Sequence, residues 1–389
     1  MKITVVCDVL GEENNGTTIA AMNLIRYLQS RGHEVRIVCP DKDKKDAKGY
    51  YVVPTLNLGI FNNYIKKNGV VISKADTMIL ARAIKDADVI HIMLPFSLGR
   101  RTAKIAQKMH KPLTAGFHAQ AENLTNHVFL MNAGIANLLV YKNFYSHFYR
   151  YIDCVHYPTE FIKNVFESKT HKTNAYVISN GVVSSFVKKE VARPPEFKDR
   201  YLILFTGRYS KEKSHHVLID AIKHSKYKDK IQLIFAGEGP QKKKIEKLGS
   251  ELPLHPIMKF FSHEEIINMI NMSDLYVHPA EIEIEAISCL EAISCGLVPV
   301  ISDSKRSATR FFALDEKNLF ENRNSHDLAR KIDYWLEHPQ EKIKRSEDYL
   351  GYTKQFSRDL CMKRMEEMLY DAIRISKEKF AKIEQQNKK

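Results

Sequence analysis

The fold is decided by the stretch Glu283-Ile284-Glu285-Ala286-Ile287-Ser288-Cys289-Leu290-Glu291-Ala292-Ile293-Ser294-Cys295-Gly296-Leu297-Val298-Pro299-Val300. It contains two carboxylates, a helical run that stops at a glycine, and the start of a strand. The spacing of Ser288 and Glu291 is that of a capping box, which predicts a helix beginning near Ser288. Two carboxylates beside a helix N-terminus suit a site for an anion with polar hydroxyls. From this stretch alone, a glutamate that only caps its own helix is an equal alternative.

Size and charge give the next constraints. A chain of 389 residues with 44% hydrophobic residues predicts two domains of ordinary size, each with its own core. The net charge of +14 indicates an anionic partner, which could be a nucleotide, a nucleic acid or an acidic lipid surface. The charge is spread along the chain and no nucleic-acid-binding module is recognisable, so we expect no nucleic-acid partner.

Cysteine usage and hydropathy indicate the compartment. The six cysteines are scattered without a C-x-x-C pair, which predicts a reduced, cytosolic protein without structural zinc. The N-terminus leads directly into an apolar strand, Ile3–Cys7, so no signal peptide is expected. No apolar run reaches the roughly 18 residues that a membrane-spanning helix needs.

Short apolar runs alternate with helical patterns in the first half. Ile3–Cys7, Val35–Cys39 and Val89–Ile92 are typical of buried strands, and Thr17–Arg31 is typical of an amphipathic helix. This alternation predicts a parallel sheet flanked by helices, that is, a Rossmann-like domain. The loop Glu12–Thr17 follows the first strand but lacks a G-x-G-x-x-G pattern, so a plain turn is its more conservative interpretation.

Two other features of the first half have both a functional and a structural interpretation. His118 follows the strand beginning at Pro112 and could meet a ligand there, although a lone histidine is more often structural. The segment Phe129–Tyr151 is aromatic, basic and amphipathic. It could touch lipid or a bulky acceptor, but packing of a helix on its own sheet is the commoner reason for amphipathicity.

The second half repeats the α/β pattern after Asn180-Gly181-Val182. A strand at Tyr201–Thr206 is followed directly by Gly207-Arg208 and then by Lys213. A later strand, Leu275–Pro279, leads into the Glu283–Val300 stretch. Parallel strands bring both loops to one crevice. Two fixed cations there could neutralise a diphosphate as it leaves.

At this point the chain resembles the retaining GT-B glycosyltransferases of family four over essentially its whole length. The matching elements are Asn180-Gly181-Val182, Gly207-Arg208 with Lys213, Gly237-Glu238-Gly239-Pro240, Asp274–Pro279, and Glu283 with Glu291 followed by Gly296, Pro299 and Val300. The resemblance implies an α/β GT-B fold, in which two Rossmann-like domains face a central cleft and a C-terminal helix crosses back.

The same resemblance implies domain boundaries. Residues 1–170 with a helix at about 357–380 would form the acceptor-side domain, and 171–356 the nucleotide-sugar-binding domain. The polar segment 381–389 is expected to be disordered.

The resemblance also implies roles for individual residues. Arg208 and Lys213 would contact the diphosphate, Glu283 the donor sugar and His118 the reacting centre, which makes these four the catalytic candidates. The donor-binding candidates are Gly16, Gly207, Gly237, Phe261 and Glu291, with Glu291 on the ribose, Phe261 near the base and Gly16 near the distal phosphate. No metal or other cofactor is implied. Asp41-Lys42-Asp43 has a D-x-D pattern, but it lies in a lysine-rich turn.

Two departures from the family pattern concern the donor sugar and its phosphate. The family usually has Phe-Gly two and three residues after its first glutamate, where this chain has Glu285 and Ala286. Its paired glycines after the first strand are here Asn15-Gly16. The first departure puts the family's backbone contacts to the sugar, and the identity of that sugar, in question. Neither departure removes the diphosphate site.

The resulting prediction is a retaining glycosyltransferase. It would move a hexose or N-acetylhexosamine from a nucleotide-sugar, preferably a UDP-sugar such as UDP-glucose, to a lipid, lipid-linked or surface saccharide acceptor. The alternatives are a nucleotide-sugar epimerase on the same fold and a non-catalytic nucleotide-sugar-binding protein. The expected location is the cytoplasm, and a peripheral position on the inner face of an anionic cell membrane stays open.

Overall fold

The computed structural model describes residues 1–8, 10, 16–56, 73–126 and 132–387. The chain forms two compact units. Unit 1 comprises Met1–Asn180 and Asp359–Lys389, and unit 2 comprises Gly181–Arg358. Each unit is an α/β domain around a parallel sheet, as the alternation of strand and helix patterns predicted.

In its described part, unit 1 contains a seven-stranded sheet in the order β3-β2-β1-β4-β5-β6-β7, with every adjacent pair parallel. Its strands are β1 Lys2–Val6, β2 Glu34–Cys39, β3 Tyr50–Val52, β4 Val89–Ile92, β5 Leu113–Gly116, β6 Cys154–Tyr157 and β7 Ala175–Val177. Strands β4, β5 and β6 are buried at every position, which explains why, apart from His91 and His156, they consist of apolar or small residues without a polar alternation.

Helices surround this sheet. They are α1 Gly16–Ser30, α2 Thr77–Ile84, α3 Ser97–Lys108, α4 Ala121–Asn126, α5 Gly134–His147 and α6 Glu160–Lys169. Local sequence sets several of their starts: Asp76 accepts hydrogen bonds from Met78 N and Ile79 N at the start of α2, and Thr159 accepts one from Ile162 N at the start of α6. Such caps satisfy amide groups that the first helical turn leaves unpaired.

In its described part, unit 2 contains a six-stranded parallel sheet in the order β10-β9-β8-β11-β12-β13. Its strands are β8 Tyr201–Thr206, β9 Ile231–Ala236, β10 Ile257–Lys259, β11 Leu275–His278, β12 Pro299–Ser302 and β13 Leu319–Phe320. Its helices are α7 His215–His224, α8 Lys242–Gly249, α9 His263–Met272, α10 Ile287–Ser294, α11 Ser325–Glu337 and α12 Pro339–Tyr352. Because all pairs are parallel, the carboxyl ends of β8, β9 and β11 meet at one edge.

The C-terminal helix, α13 Arg358–Asn387, was predicted to return to the first domain, and its contacts place it in unit 1. Tyr176 Oη donates to Asp371 Oδ2 (2.9 Å), and Lys379 Nζ donates to Asp153 Oδ1 (3.1 Å). The C-terminal helix is therefore hydrogen-bonded to residues in or next to strands β6 and β7, which come much earlier in the sequence.

Two sequence-based boundaries differ from the structure. The first unit extends to Asn180 rather than to residue 170, because β7 Ala175–Val177 pairs with β6 and completes the first sheet. The segment predicted to be disordered from residue 381 is helical to Asn387, since its lysine, glutamate and glutamine residues are good helix formers. Residues 388 and 389 lie outside the described part.

The cysteines, the apolar character of the helices and the arrangement of potential metal ligands can be compared with what the sequence predicted. All six cysteines are buried and unbridged. Among the described residues, no helix combines the length and apolar character needed to cross a bilayer. The same residues contain no group of three or more histidine, cysteine, aspartate or glutamate side chains arranged to hold a metal ion.

Candidate functional site

The predicted donor-side residues lie at the carboxyl edge of the unit 2 sheet. There the loop after β8 and the loop after β9 are hydrogen-bonded to each other. Gly207 N donates to Ala236 O (3.0 Å), and Tyr209 N donates to Glu238 O (2.8 Å). Two successive loops are thus held side by side at the strand ends, the position where open parallel sheets bind ligands.

Close backbone approach explains the glycines in these loops. A Cβ on Gly237 would lie 2.1 Å from Gly207 O, and a Cβ on Gly239 would lie 2.6 Å from Tyr209 O. Neither distance is compatible with a side chain. The Gly237-Glu238-Gly239 pattern is therefore required for the loop after β9 to pack on the loop that carries Arg208.

An ion pair lies at the centre of this edge. Lys213 ends the short 3-10 turn Lys211–Lys213 after β8, and its Nζ donates to Glu283 Oε1. Both side chains are largely buried, with 19% and 13% exposed. The same Glu283 oxygen is 3.1 Å from His278 Nε2. The structure therefore brings together two of the predicted catalytic residues and adds a histidine that the sequence analysis did not single out.

Electrostatics keep Glu283 ionised. Burial opposes its ionisation, but the Lys213 ammonium and the His278 hydrogen bond outweigh it and lower the pKa of Glu283 to about 2. Burial also lowers the pKa of His278, so its imidazole is neutral at neutral pH. A neutral ring donates through one nitrogen, and the ionised carboxylate only accepts. His278 thus donates from Nε2 to Glu283, and its Nδ1 accepts from Tyr276 Oη (3.2 Å).

The helix within Glu283–Val300 is α10 Ile287–Ser294, which begins one residue before the helix start predicted at Ser288. The predicted capping box is wrong: the N-cap position is Ala286, and no side chain caps it. Ser288 Oγ instead donates to Thr206 O (3.2 Å), because the end of β8 offers a carbonyl within reach. Ala286 adopts a left-handed backbone (φ 61°, ψ 64°), where the family usually has glycine. The altered residue therefore keeps a backbone conformation typical of glycine.

Glu291 lies in the middle of α10 and is half-buried. Burial raises its pKa to about 8. Its carboxyl group is therefore protonated at neutral pH, and within the described part of the chain it has no hydrogen-bond or ion-pair partner. It therefore does not cap its helix, and its oxygens remain available to hydroxyl groups of a ligand.

Two further predicted residues frame this edge. Arg208 follows Gly207 directly and is half-buried. Phe261 follows β10 and is half-buried, with Lys259 Nζ 5.2 Å from the centre of its ring. Its neighbour Phe260 is 63% exposed. An exposed ring beside a strand end suits contact with a flat ligand group.

The remaining candidates belong to unit 1. Gly16 is the first residue of α1, and, among the described residues other than its chain neighbours and its own helix backbone, no atom lies within 4 Å of where its Cβ would be. His118 follows β5, and its ring folds back over Gly116 and meets His156 edge-on at 5.6 Å. Burial lowers the pKa of His118 well below its ordinary value, so the ring is neutral. The predicted loop residues Glu12–Asn15 lie outside the described part.

Sequence reasoning identified Lys213 and Glu283 but missed Tyr276 and His278. His278 is hydrogen-bonded to Glu283, and Tyr276 is hydrogen-bonded to His278. Both occur in the quoted Asp274–Pro279 element. Their alternation along β11 was the available signal, since residues two apart on a strand face the same side.

The left-handed backbone at Ala286 gives a test of local strain. Ala286→Gly should raise the free energy of unfolding by about 1 kcal/mol, because a left-handed conformation is strained for alanine but not for glycine. Urea unfolding measures this change. The matched control, Ala292→Gly in the interior of the same helix, should destabilise by about 1 kcal/mol or more. Equal destabilisation by both variants would contradict the assigned conformation.

The raised pKa of Glu291 predicts a pH-dependent effect of Glu291→Gln. The folded protein keeps this proton up to about pH 8, whereas an unfolded chain releases it near 4.5, so ionisation increasingly destabilises the fold across that interval. The variant should therefore raise the melting temperature at pH 9 and change it little at pH 4.5, as measured by differential scanning fluorimetry. Exposed Glu264→Gln is the control, and a pH-independent effect of Glu291→Gln would contradict the assignment.

Two family models match this chain, one in each half. Residues 14–186 match the family model "Glycosyltransferase Family 4", and residues 187–353 match "Glycosyl transferases group 1". An alpha-monoglucosyldiacylglycerol synthase from Acholeplasma laidlawii is 22% identical over 393 residues, covering 92% of this chain and 94% of the relative. A GDP-mannose-dependent alpha-mannosyltransferase from Corynebacterium glutamicum is 22% identical over 315 residues, covering 77% and 72%.

A solved structure shows the same fold. HepE from Anabaena, in complex with UDP and glucose, aligns with a TM-score of 0.73 at 16% identity and covers 95% of this chain and 100% of its own. The two family models together extend from residue 14 to residue 353, across both α/β units. The chain therefore belongs to the group 1 glycosyltransferases of the GT-B fold.

Proposed function

We propose that this protein is a retaining glycosyltransferase that moves a hexose or N-acetylhexosamine from a nucleotide-sugar to a lipid, lipid-linked or surface saccharide acceptor. The observation that carries the proposal is the buried Lys213–Glu283 pair at the carboxyl edge of the unit 2 sheet. A fixed ammonium beside an ionised carboxylate suits a ligand that has both a diphosphate and a hydroxyl-rich sugar.

The donor is proposed to bind along this edge. Lys213 and Arg208 face the diphosphate, Glu283 accepts hydrogen bonds from the sugar, and Glu291 accepts them from the ribose. The glycines at 207 and 237 let the backbone approach the phosphates, and Phe261 marks the side of the base. A UDP-sugar is the preferred donor and a GDP-sugar is the alternative.

The chemistry follows from where charge develops. The bond between the anomeric carbon and the diphosphate breaks, and the leaving diphosphate gains negative charge that Arg208 and Lys213 stabilise. The acceptor hydroxyl attacks from the same face and passes its proton to a phosphate oxygen, so the anomeric configuration is kept. We expect no metal ion, because the two cations supply the positive charge at the leaving group. Gly16 and His118 are proposed to serve the distal phosphate and the reacting centre.

Relatives support a lipid or saccharide acceptor. One is named alpha-monoglucosyldiacylglycerol synthase and another GDP-mannose-dependent alpha-mannosyltransferase, and the solved HepE structure is a complex with UDP and glucose, so both UDP- and GDP-sugars need testing. A screen of UDP- and GDP-sugars by thermal shift, followed by candidate lipid and saccharide acceptors, identifies the pair. Interconversion of free UDP-sugars without an acceptor would indicate an epimerase, and donor binding without any product would indicate a non-catalytic binder.

Arg208→Ala should lower kcat/KM for sugar transfer or donor hydrolysis by about 10²–10³-fold, since it removes a cation from the leaving diphosphate. Steady-state kinetics with the donor from the screen measures this. Exposed Lys243→Ala, on α8 of the same unit, is the control and should leave turnover unchanged. Unchanged turnover in Arg208→Ala would show that the site is wrongly assigned.

We further propose a cytoplasmic location with peripheral contact to an anionic membrane through α5 Gly134–His147. Ile135 and Leu139, one helical turn apart, are 78% and 62% exposed, and Lys142 on the same helix is also exposed. Exposed apolar side chains with a nearby cation are typical of helices that lie on lipid. Residues 129–131 of the segment first considered lie outside the described part.

The double variant Ile135→Ser with Leu139→Ser should lose flotation with anionic liposomes, because it removes the apolar side chains that would enter the bilayer. The control is Ile383→Ser on α13 of the same unit, whose side chain is 42% exposed. Equal flotation of the wild type with anionic and neutral vesicles would overturn the proposal.

A further inference from the structure

A second buried carboxylate, Glu281, lies two residues before Glu283 and is only 5% exposed. Its side chain receives hydrogen bonds from three other side chains. Arg323 donates from Nε to Oε1 (2.7 Å) and from Nη2 to Oε2 (2.6 Å), Arg306 Nη2 donates to Oε2 (2.8 Å), and Ser214 Oγ donates to Oε1 (3.3 Å). None of these contacts follows from the sequence pattern.

The backbone of Glu281 makes further contacts. Its amide donates to Glu212 O (2.8 Å), and its carbonyl accepts from Ser304 Oγ (2.6 Å). Glu281 therefore binds Glu212 through its main chain and Ser214 through its side chain. These two residues flank Lys213, so one residue holds the chain on both sides of the cation that pairs with Glu283.

Backbone strain marks the same cluster. Ser214 and Arg323 both adopt left-handed conformations, with φ of 51° and 66°. Such conformations are strained for a non-glycine residue and persist where surrounding contacts enforce them. Both residues donate to Glu281. The carboxylate thus fixes a tight turn immediately after Lys213 and draws Arg323 from a separate loop.

The charges argue against a role in stability alone. Glu281 itself is buried, but the Arg306 and Arg323 side chains that pair with it are 27% and 53% exposed, and ion pairs that solvent screens in this way contribute little to stability. What the cluster achieves is a fixed position for the Lys213 turn. Lysine has a long flexible stem, so its ammonium can be placed reproducibly only if its backbone is fixed.

We propose that Glu281 is a positioning residue for Lys213: it holds the backbone on both sides of this lysine so that the ammonium meets the leaving diphosphate. The inference rests on the proposed function, since it assigns Lys213 to the donor diphosphate. Stabilisation of charge that appears in the transition state acts on kcat more than on donor binding.

Glu281→Gln should lower kcat by about 100-fold, as small misplacement of a catalytic group does, with a smaller change in the donor KM. The matched control is Asp274→Asn. Asp274 also pairs with an arginine, Arg193 Nη2 at 3.1 Å, and accepts from Leu202 N, but it lies at the opposite, amino end of β8 and β11. Asp274→Asn should leave kcat unchanged at temperatures where it is folded. A similar kcat loss in both variants would reduce Glu281 to a stabilising residue and overturn the proposal.

Coupling to Lys213 gives a readout that a purely structural role would not move. In a Lys213→Met background, Glu281→Gln should cause no further loss of kcat, because the group it positions is already absent. Full additivity of the two substitutions would overturn the proposal.

A milder variant covers the case in which Glu281→Gln does not fold. Ser214→Ala removes one hydrogen bond to Glu281 and keeps both arginine pairs, and it should lower kcat with only a small drop in melting temperature. Unchanged kcat would count against the proposal. Hydrogen exchange of the wild type and variant provides a test independent of catalysis: amides of residues 211–216 should exchange faster in Ser214→Ala.

Different experimental outcomes would contradict the proposed glycosyltransferase function and the proposed role of Glu281. If the wild type neither binds a nucleoside diphosphate nor turns over any donor, the proposed function is wrong, whatever the variants do. If the wild type is active and both Glu281→Gln and Ser214→Ala retain its kcat, only the positioning role is wrong.

Discussion

The ion pair between Lys213 and Glu283 is the interaction on which the unit 2 site depends. It joins the loop after β8 to the loop after β11 at the carboxyl edge of one sheet. Two charges in a largely buried place are costly unless they are paired and hydrogen-bonded, and removing one partner of such a pair typically costs about 3–5 kcal/mol. The surrounding residues are arranged to support it. His278 and Tyr276 hold the carboxylate from the strand, and Glu281 holds the backbone around the lysine.

Backbone packing makes this pairing possible. The loops after β8 and β9 approach so closely that Gly237 and Gly239 have no room for a Cβ. At the start of α10, Ala286 takes the left-handed conformation in which the related enzymes usually have glycine. The departure at this position therefore adds one methyl group, and Ala286 still takes a backbone conformation that glycine favours. The neighbouring Glu285 is buried.

Periodicity and motif spacing were sufficient to predict the two α/β units and the strand at Tyr201–Thr206, because these depend on local hydrophobic pattern, whereas the return of the C-terminal helix was implied only by the family resemblance. They also identified Lys213 and Glu283, since parallel strands bring successive loops to one edge. They failed where a side chain had a choice of partners. Ser288 binds the carbonyl of Thr206 rather than capping its helix, and this acceptor is 82 residues away in the chain.

Glu281 shows the same limit more strongly. Its partners come from residues 212–214, 304–306 and 323, and the spacing of these residues in the sequence does not predict that they converge.

The central claim is that Lys213 holds a nucleoside diphosphate. Calorimetric titration of UDP and GDP into the full chain tests it most directly, using wild type, Lys213→Met and the surface control Lys243→Met. We predict that one nucleotide binds to the wild type and the control, and that Lys213→Met weakens it at least about tenfold, or 1.4 kcal/mol. Equal affinity in Lys213→Met, or no binding by the wild type, would contradict the account.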